Sequence, residues 1–295
     1  MKPIYVLFGV DMETDVGSFT PFYEGAKHGT PLLLELFAQK GVKGTFFFTG
    51  DCAKENPDVV KMVVKSGNEV GCHSLYHETI GDELFPIPMI KPLLPFEVKP
   101  RLEICKKWVE DAAGVTATSF RCPRLWGSTT VVNALEELGF TCDVTYPMYF
   151  YREQFAPYHP SRSDWTQKGD STVLEVPNFA DMTMKSNDPG LERDRDQWPL
   201  FRTKGGEYIL ERSKSFIDFC DEKDVPRVLA FYIHPWEFWQ MEKSYNFGEG
   251  TVIPEPFIIE NCGDVALVEL GKLIDGLAAL GAKFTTAREL TDVFS

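Results

Sequence analysis

No stretch of this sequence approaches the roughly 18 consecutive apolar residues that a membrane-spanning helix requires. Positive charge is also short: 30 Lys and Arg face 44 Asp and Glu, a formal net charge of −14. A nucleic-acid partner needs a basic stripe to neutralise phosphates, and this balance excludes one. It also argues against strongly anionic substrates unless a local patch reverses it. There is no CxxC, and the seven cysteines (Cys52, Cys72, Cys105, Cys122, Cys142, Cys220, Cys262) are scattered through apolar stretches. That sets aside a cysteine-built zinc site, and buried reduced thiols are expected. The opening MKPIYVLFGVDM is interrupted by Asp11 too early for a secretory signal, so a cytoplasmic protein is expected. Nothing in the sequence specifies an oligomeric state, and a homo-oligomer stays open.

What is present is enough apolar material for a sizeable core: 43% of 295 residues, with 23 Phe and 6 Trp. Chains of this length can remain one domain when they form α/β barrels. Strand and helix signals alternate. IYVLFGV (4–10), VKGTFFFT (42–49), EVGCH (69–73), TATSFR (116–121), FTCDVT (140–145), STVLEVP (171–177), RVLAFYIH (227–234) and AKFTT (282–286) read as strands. Between them, helices are expected after Thr30-Pro31, after Asn56-Pro57, and over about 96–113, 128–139, 264–280 and 286–293. Apolar strands alternating with 3.6-period helices imply βαβ units on a parallel sheet, and about eight strands suggest a closed or nearly closed barrel. Two stretches break the rhythm, 80–97 and 146–200, and long irregular loops of this kind are usually lids or binding loops.

The strands end in ionisable residues. Strand one runs into DMETD (11–15), strand three into His73, strand four into Arg121 and strand seven into His234, while strand five carries Asp143. In a parallel α/β barrel the carboxyl ends of the strands share one mouth. His73 and His77 are two of only five histidines. Their i, i+4 spacing lets two imidazoles share a metal from one helical turn. Alternation along strand one puts Asp11 and Glu13 on one face, where a cation or a shared proton must relieve their repulsion. Arg121 is placed to orient a carboxylate through bidentate hydrogen bonds, with Arg124 a weaker second candidate. Pro235 stops the last apolar run at His234, which suits a general acid at the mouth. Trp236, Trp239, Tyr149, Tyr151, Trp165 and Trp198 are candidates for a sugar-stacking rim or for lid packing.

Together these motifs resemble the polysaccharide deacetylase family, the NodB-type carbohydrate esterases. His73-Ser74-Leu75-Tyr76-His77 matches the family's His-Ser/Thr-x-x-His motif in full, and Arg121-Cys122-Pro123 matches Arg-x-Pro. Arg124-Leu125-Trp126-Gly127 replaces the usual aromatic and glycine that follow. Tyr232-Ile233-His234 matches the apolar strand that ends in histidine, and the motif that would involve Asp143 is poorly preserved. The aspartate pair of strand one is represented by VDMETD, a D-x-E/D variant found in a subgroup that includes intracellular-type peptidoglycan deacetylases and cyclic-amide hydrolases. On that pattern Asp11 is the base and Glu13 a metal ligand. The reverse assignment, or use of Asp15, stays open.

The resemblance implies an α/β fold, a distorted, TIM-like (β/α)7–8 barrel, as a single catalytic domain over residues 1–295 with irregular insertions at 80–97 and 146–200. It implies a divalent metal, usually zinc, here held by Glu13, His73 and His77. Asp11, oriented by Arg121, would take a proton from water, and His234 would protonate the leaving amine. The implied substrate is a carbohydrate or small amide, foremost an N-acetylated amino sugar or glycan precursor. Two rivals remain: a cyclic-amide or ureide hydrolase, imidase- or allantoinase-like, and a catalytically idle glycan-binding barrel.

Overall fold

The computed structural model describes residues 2–87, 90–188 and 190–294. Pro88 and Met89 of the first insertion and Pro189 of the second lie outside the described residues. The strands are β1 (Ile4–Met12), β2 (Thr45–Phe48), β3 (Glu69–Cys72), β4 (Ser119–Phe120), β5 (Cys142–Asp143), β6 (Leu174–Glu175), β7 (Arg227–Ile233), the hairpin β8 (Tyr245–Asn246) and β9 (Thr251–Val252), and β10 (Lys283–Thr285). All but the hairpin belong to one parallel sheet.

β1 is the hub of this sheet. β7 pairs along Ile4–Val10, so β2, on Gly9–Met12, and β10, on Tyr5–Leu7, share its opposite edge. From β2 the sheet curls through β3, β4 and β5 to β6. Beyond β6, Asn178 bridges Pro147 on one side and Ala230 of β7 on the other, and the Phe179 N–H donates to the Ala230 carbonyl at 2.8 Å. The curled sheet thereby returns to its own edge as a distorted barrel.

β4, β5 and β6 are shorter than the apolar runs suggest, with two ladder residues each. Side chains take over the backbone groups where the strands stop. The Thr145 and Tyr146 N–H groups donate to Glu175 Oε1 at 3.0 and 2.7 Å, and the Cys122 N–H donates to Thr145 Oγ1 at 2.9 Å.

β1 is buried on both faces, as an apolar central strand of a parallel sheet should be. Val6, Phe8, Val10 and Met12 pack outward with Leu33 and Phe37 of the helix Thr30–Lys40. Leu7 points inward with Phe47, Val144, Val176 and Val228. Each such side chain contributes roughly 1.5–3 kcal/mol by burial. Strand alternation then puts Gly9 and Asp11 on the inner face as well, and carries Glu13 to the rim.

Two helix expectations change. The helix expected after Thr30-Pro31 does not begin there, because it runs back into a π-helical turn, Gly25–Gly29. Asp15 accepts the Glu24 and Gly25 N–H groups at 2.9 and 2.8 Å and so takes the capping role. The helix Gly206–Glu222 was not apparent in the sequence. Its buried stripe includes Arg212 and Ser213 among Ile209, Phe216 and Cys220, which masks the apolar period. All seven cysteines are buried and free. Among the described residues no helix is long and apolar enough to cross a membrane.

Candidate active site

Arg121 follows β4 and runs through the barrel interior, fully buried. Its Nη1 donates to Asp11 Oδ1 at 2.8 Å, and its Nε to the Val144 carbonyl at 2.9 Å. Nη2 reaches Asn178 Oδ1 at 3.3 Å and the Phe231 carbonyl at 3.4 Å, and the guanidinium lies 4.6 Å above the Phe47 ring. The contact with Asp11 is therefore one hydrogen bond, not the bidentate pair the sequence suggested. The other donors are spread over the strand ends of β5, β6 and β7. Gly9 makes the passage possible: a Cβ there would sit 2.3 Å from both Nη atoms.

The histidines are not on a helical turn. Residues 73–81 form an irregular loop, with Ser74 at φ 65° and His77 at φ 57°. Such left-handed residues cost about 1–2 kcal/mol each when they are not glycine, and they cluster at functional sites. Pairing with the next turn holds the loop: the Gly50 and Asp51 N–H groups donate to the Ser74 and Leu75 carbonyls at 2.9 and 3.0 Å. Glu78 Oε2 accepts from Ser74 Oγ at 3.1 Å and from the Tyr76 N–H at 2.5 Å.

The loop brings His77 Nε2 to 2.6 Å and His73 Nε2 to 3.6 Å from Glu13 Oε2. One ligand atom from each of Glu13, His73 and His77 lies within 4.8 Å of the other two, and all three residues are buried. Neither Glu13 oxygen receives a well-aligned hydrogen bond among the described residues. Asp11 Oδ2 is farther off, 4.0 Å from His73 Nε2. His73 Nδ1 faces the Arg121 carbonyl at 2.8 Å; a carbonyl only accepts, so the proton is on Nδ1 and Nε2 is the free donor atom. Burial opposes charge on Glu13, but the facing His77 and His73 outweigh it and hold its carboxyl well below the usual range. Burial pushes His77 below its ordinary value against the pull of Glu13. A carboxylate and two imidazole nitrogens converging within 4.8 Å are a donor set that suits a divalent cation such as zinc.

His234 lies just past β7, 9% exposed. Its Nδ1 is 2.9 Å from Glu237 Oε1, and its ring stacks 5.0 Å from Trp236. Buried Arg202 donates to the other Glu237 oxygen at 2.6 Å. Burial alone would lower the imidazole, but the Glu237 hydrogen bond and the charges of Glu13, Glu237 and Asp11 raise it above its ordinary value. The His234 loop rests on the Gly25–Gly29 turn, where a Cβ on Gly29 would sit 1.9 Å from the Pro235 carbonyl oxygen. Glu237, Arg202 and Asn178 were missed in the sequence; only the HPWE spacing hinted at the first.

The remaining candidates sort by place. Asp15 faces the turn amides, not the imidazoles. Asp143 is not at the mouth. Cys142 and Val144 take the inner face of β5, so Asp143 turns outward, in register with Glu175 of β6. Of the aromatic rim, Trp236, Trp198 and Tyr149 line a cavity of about 290 Å³ together with Asp11, Glu13, both loop histidines and His234. Arg124 lines it too. Trp239 instead stacks on His28 at 4.8 Å, and Tyr151 and Trp165 pack around Tyr146. Both insertions reach the cavity, through Phe85 and Ile87 and through Tyr149, Arg193 and Trp198.

Known proteins are similar to this chain to different extents. A peptidoglycan-N-acetylglucosamine deacetylase of Bacillus cereus is 26% identical over 165 residues, covering 56% of this chain and 66% of that protein. A peptidoglycan deacetylase of Helicobacter pylori is 24% identical over 270 residues, covering 86% and 84%. Two solved structures share the fold: the PuuE allantoinase (TM-score 0.63, 15% identity, 99% of this chain and 90% of that one) and a CE4 family pseudoenzyme from Bacillus anthracis (0.54, 15%, 98% and 66%). The sequence model of the polysaccharide deacetylase family matches residues 16–142, which hold both loop histidines and Arg121. Over that stretch the chain is similar to the polysaccharide deacetylase family, and its barrel fold is shared with solved structures of that kind.

Proposed function

We propose that this protein is a metal-dependent hydrolase of amide C–N bonds that removes the N-acetyl group from an amino sugar or glycan precursor. The observation that carries the proposal is the buried Glu13–His73–His77 cluster beside an Asp11 held by Arg121. Glu13, His73 and His77 would hold a divalent ion, with zinc suited to the donor set, and such an ion supplies Lewis acidity toward the acyl group. Asp11 takes a proton from the attacking water, whose oxygen adds to the acyl carbon. The C–N bond then breaks, and His234 gives its proton to the departing nitrogen. Acetate and a free amine leave. The raised pKa of His234, held up against burial by the Glu237 hydrogen bond, favours the protonated form that an acid needs. Trp198, half-buried beside His234 at the cavity, offers an apolar face to a sugar ring. We take residues 1–295 as one catalytic unit working on soluble precursors in the cytoplasm.

A second reading is hydrolysis of a cyclic amide or ureide. It is favoured by a cavity of about 290 Å³ overhung by both insertions, which suits a small molecule better than a polymer. The idle-barrel reading is opposed by the retained set Asp11, Glu13, His73, His77 and His234. Purified protein should contain close to one divalent ion per chain and should release amine from a panel of acetylated sugars and cyclic amides. His73→Ala should lose metal and activity together. A fully active, metal-free His73→Ala protein would sink the scheme, and the panel member that turns over separates the two substrate readings.

A further inference from the structure

The cavity does not share the charge of the chain as a whole. Against a formal net charge of −14, the acidic side chains lining it are Asp11 and Glu13, and the basic ones are Arg124 and Arg193, with the imidazole of His234 beside them. Asp11 is already neutralised from behind by Arg121. What faces the open volume is therefore richer in positive charge than the composition suggests.

The two arginines come from different walls. Arg124 sits on the short turn after Arg121, with Arg124 and Leu125 both at φ 59°, a conformation that costs residues other than glycine free energy. The turn aims the side chain back at the histidine loop, where Nη1 donates to the His77 carbonyl at 3.2 Å and to Thr79 Oγ1 at 3.3 Å. Both acceptors are neutral. Among the described residues the half-buried guanidinium makes no ion pair, and burial lowers its pKa. The charge of Glu13 opposes that shift from beyond ion-pair distance, and a partly desolvated cation with no direct ion pair favours an incoming anion. Arg193 comes from the second insertion and spreads over the Phe85 ring of the first at 5.0 Å, also without an ion pair among the described residues. Asp196, near it in sequence, is turned inward onto the Tyr232 hydroxyl.

We infer that Arg124 and Arg193 form an anion subsite at the mouth, and that the substrate is a small amide carrying a carboxylate close to the bond that is cut. This rests on the amide hydrolysis proposed above and adds the charge of its substrate. Arg124 is tied to the backbone of His77, so the anionic group lies directly beside the Glu13–His73–His77 cluster. The neutral substrate expected from the net charge gives way to the local patch. Guanidinium forks bind carboxylates more strongly and more selectively than neutral groups.

The test is calorimetric titration of the purified protein with two matched pairs: N-acetylmuramic acid against N-acetylglucosamine, and succinamic acid against succinamide. Amine release is followed in parallel. At least one anionic member should bind about tenfold or more tightly than its neutral partner. Arg124→Gln and Arg193→Gln should each remove most of that preference, and Arg193→Lys should keep part of it. If Arg124→Gln does not fold, the exposed Arg193 variants carry the same test. Equal affinity within both pairs, no binding of either anion at millimolar concentration, or a preference unchanged in the glutamine variants overturns the subsite. Turnover without charge preference would remove the subsite and leave the hydrolase standing. Charge preference without amine release from any amide would do the reverse.

Discussion

The main-chain carbonyl of Arg121 accepts the Nδ1–H of His73 at 2.8 Å, while the guanidinium of the same residue holds Asp11 at 2.8 Å. One residue thus orients a metal-ligand candidate with its backbone and the candidate base with its side chain. The two duties can be separated by mutation, because a substitution changes only the second.

Arg121→Lys keeps the backbone carbonyl and the positive charge. A lysine cannot reach Asp11, the Val144 carbonyl and Asn178 together as the fork does. Metal content per chain should stay near wild type while kcat/KM falls by about tenfold or more, within the range general-base contributions span. Atomic absorption and initial rates on one preparation read both. Loss of metal in parallel with activity would mean that the side chain, not the carbonyl, supports His73.

Gly9 is the steric counterpart of Arg121. An alanine Cβ would sit 2.3 Å from both Nη atoms, so the guanidinium must move. Gly9→Ala is expected to cost about 1–3 kcal/mol in urea unfolding, the usual range for overpacking. It should also reproduce the kinetic loss of Arg121→Lys, although Gly9 touches no substrate. A destabilised protein with normal kcat/KM would show that Asp11 does not depend on this contact.

The barrel was legible because β1, β2 and β7 are apolar over most of their length, which only a strand buried on both faces tolerates. Asp11, Glu13, His73, His77, Arg121 and His234 were legible because each sits where such a run stops. The loop form of residues 73–81 was not, since i, i+4 spacing suits a helix and nothing marks Ser74 and His77 as left-handed. Glu237 and Arg202 were hidden for another reason. They meet across 35 residues, and Arg202 lies in a stretch that gives no strand or helix period. Asp143 misled because its position near a strand end says nothing about which face it takes.

Asp143 and Glu175 are register partners, both fully buried, and among the described residues Asp143 Oδ2 and Glu175 Oε2 receive no well-aligned hydrogen bond. Burial raises Asp143 to about 7 and Glu175 well above its ordinary value, so the pair shares a proton. For carboxyls raised on folding, the native state binds more protons than the unfolded chain. Their contribution is complete below pH 4 and is lost as pH rises through about 7. Asp15, raised to about 7, and Asp196, raised to about 6, act with the same sign. The readout is therefore the difference between wild type and Asp143→Asn. That difference should move in favour of the variant by up to about 1.4 kcal/mol per pH unit per proton between pH 5 and 8. A constant difference in urea unfolding across that range would mean the pair is not protonated in the native state.

Glu237 connects His234 to Arg202. In Glu237→Gln the amide oxygen can still accept the Nδ1–H, so the ring keeps its orientation but loses the adjoining charge. His234 is held above its ordinary value against burial by the Glu237 hydrogen bond and by the charges of Glu13, Glu237 and Asp11. Removing one of those charges lowers it. An acid catalyst works only while protonated, so activity falls as pH rises through its pKa. The alkaline limb of the kcat profile should therefore move to lower pH in Glu237→Gln, with kcat at the acidic plateau reduced less than at pH 8. The variant also leaves Arg202 buried without its carboxylate, a loss of about 3–5 kcal/mol where a buried pair is broken. Arg202→Met breaks the same pair but leaves Glu237 charged beside His234, so it should lose stability while its alkaline limb stays at or above the wild-type position. If both variants shift the limb downward alike, the effect comes from loosened structure and not from the charge on Glu237.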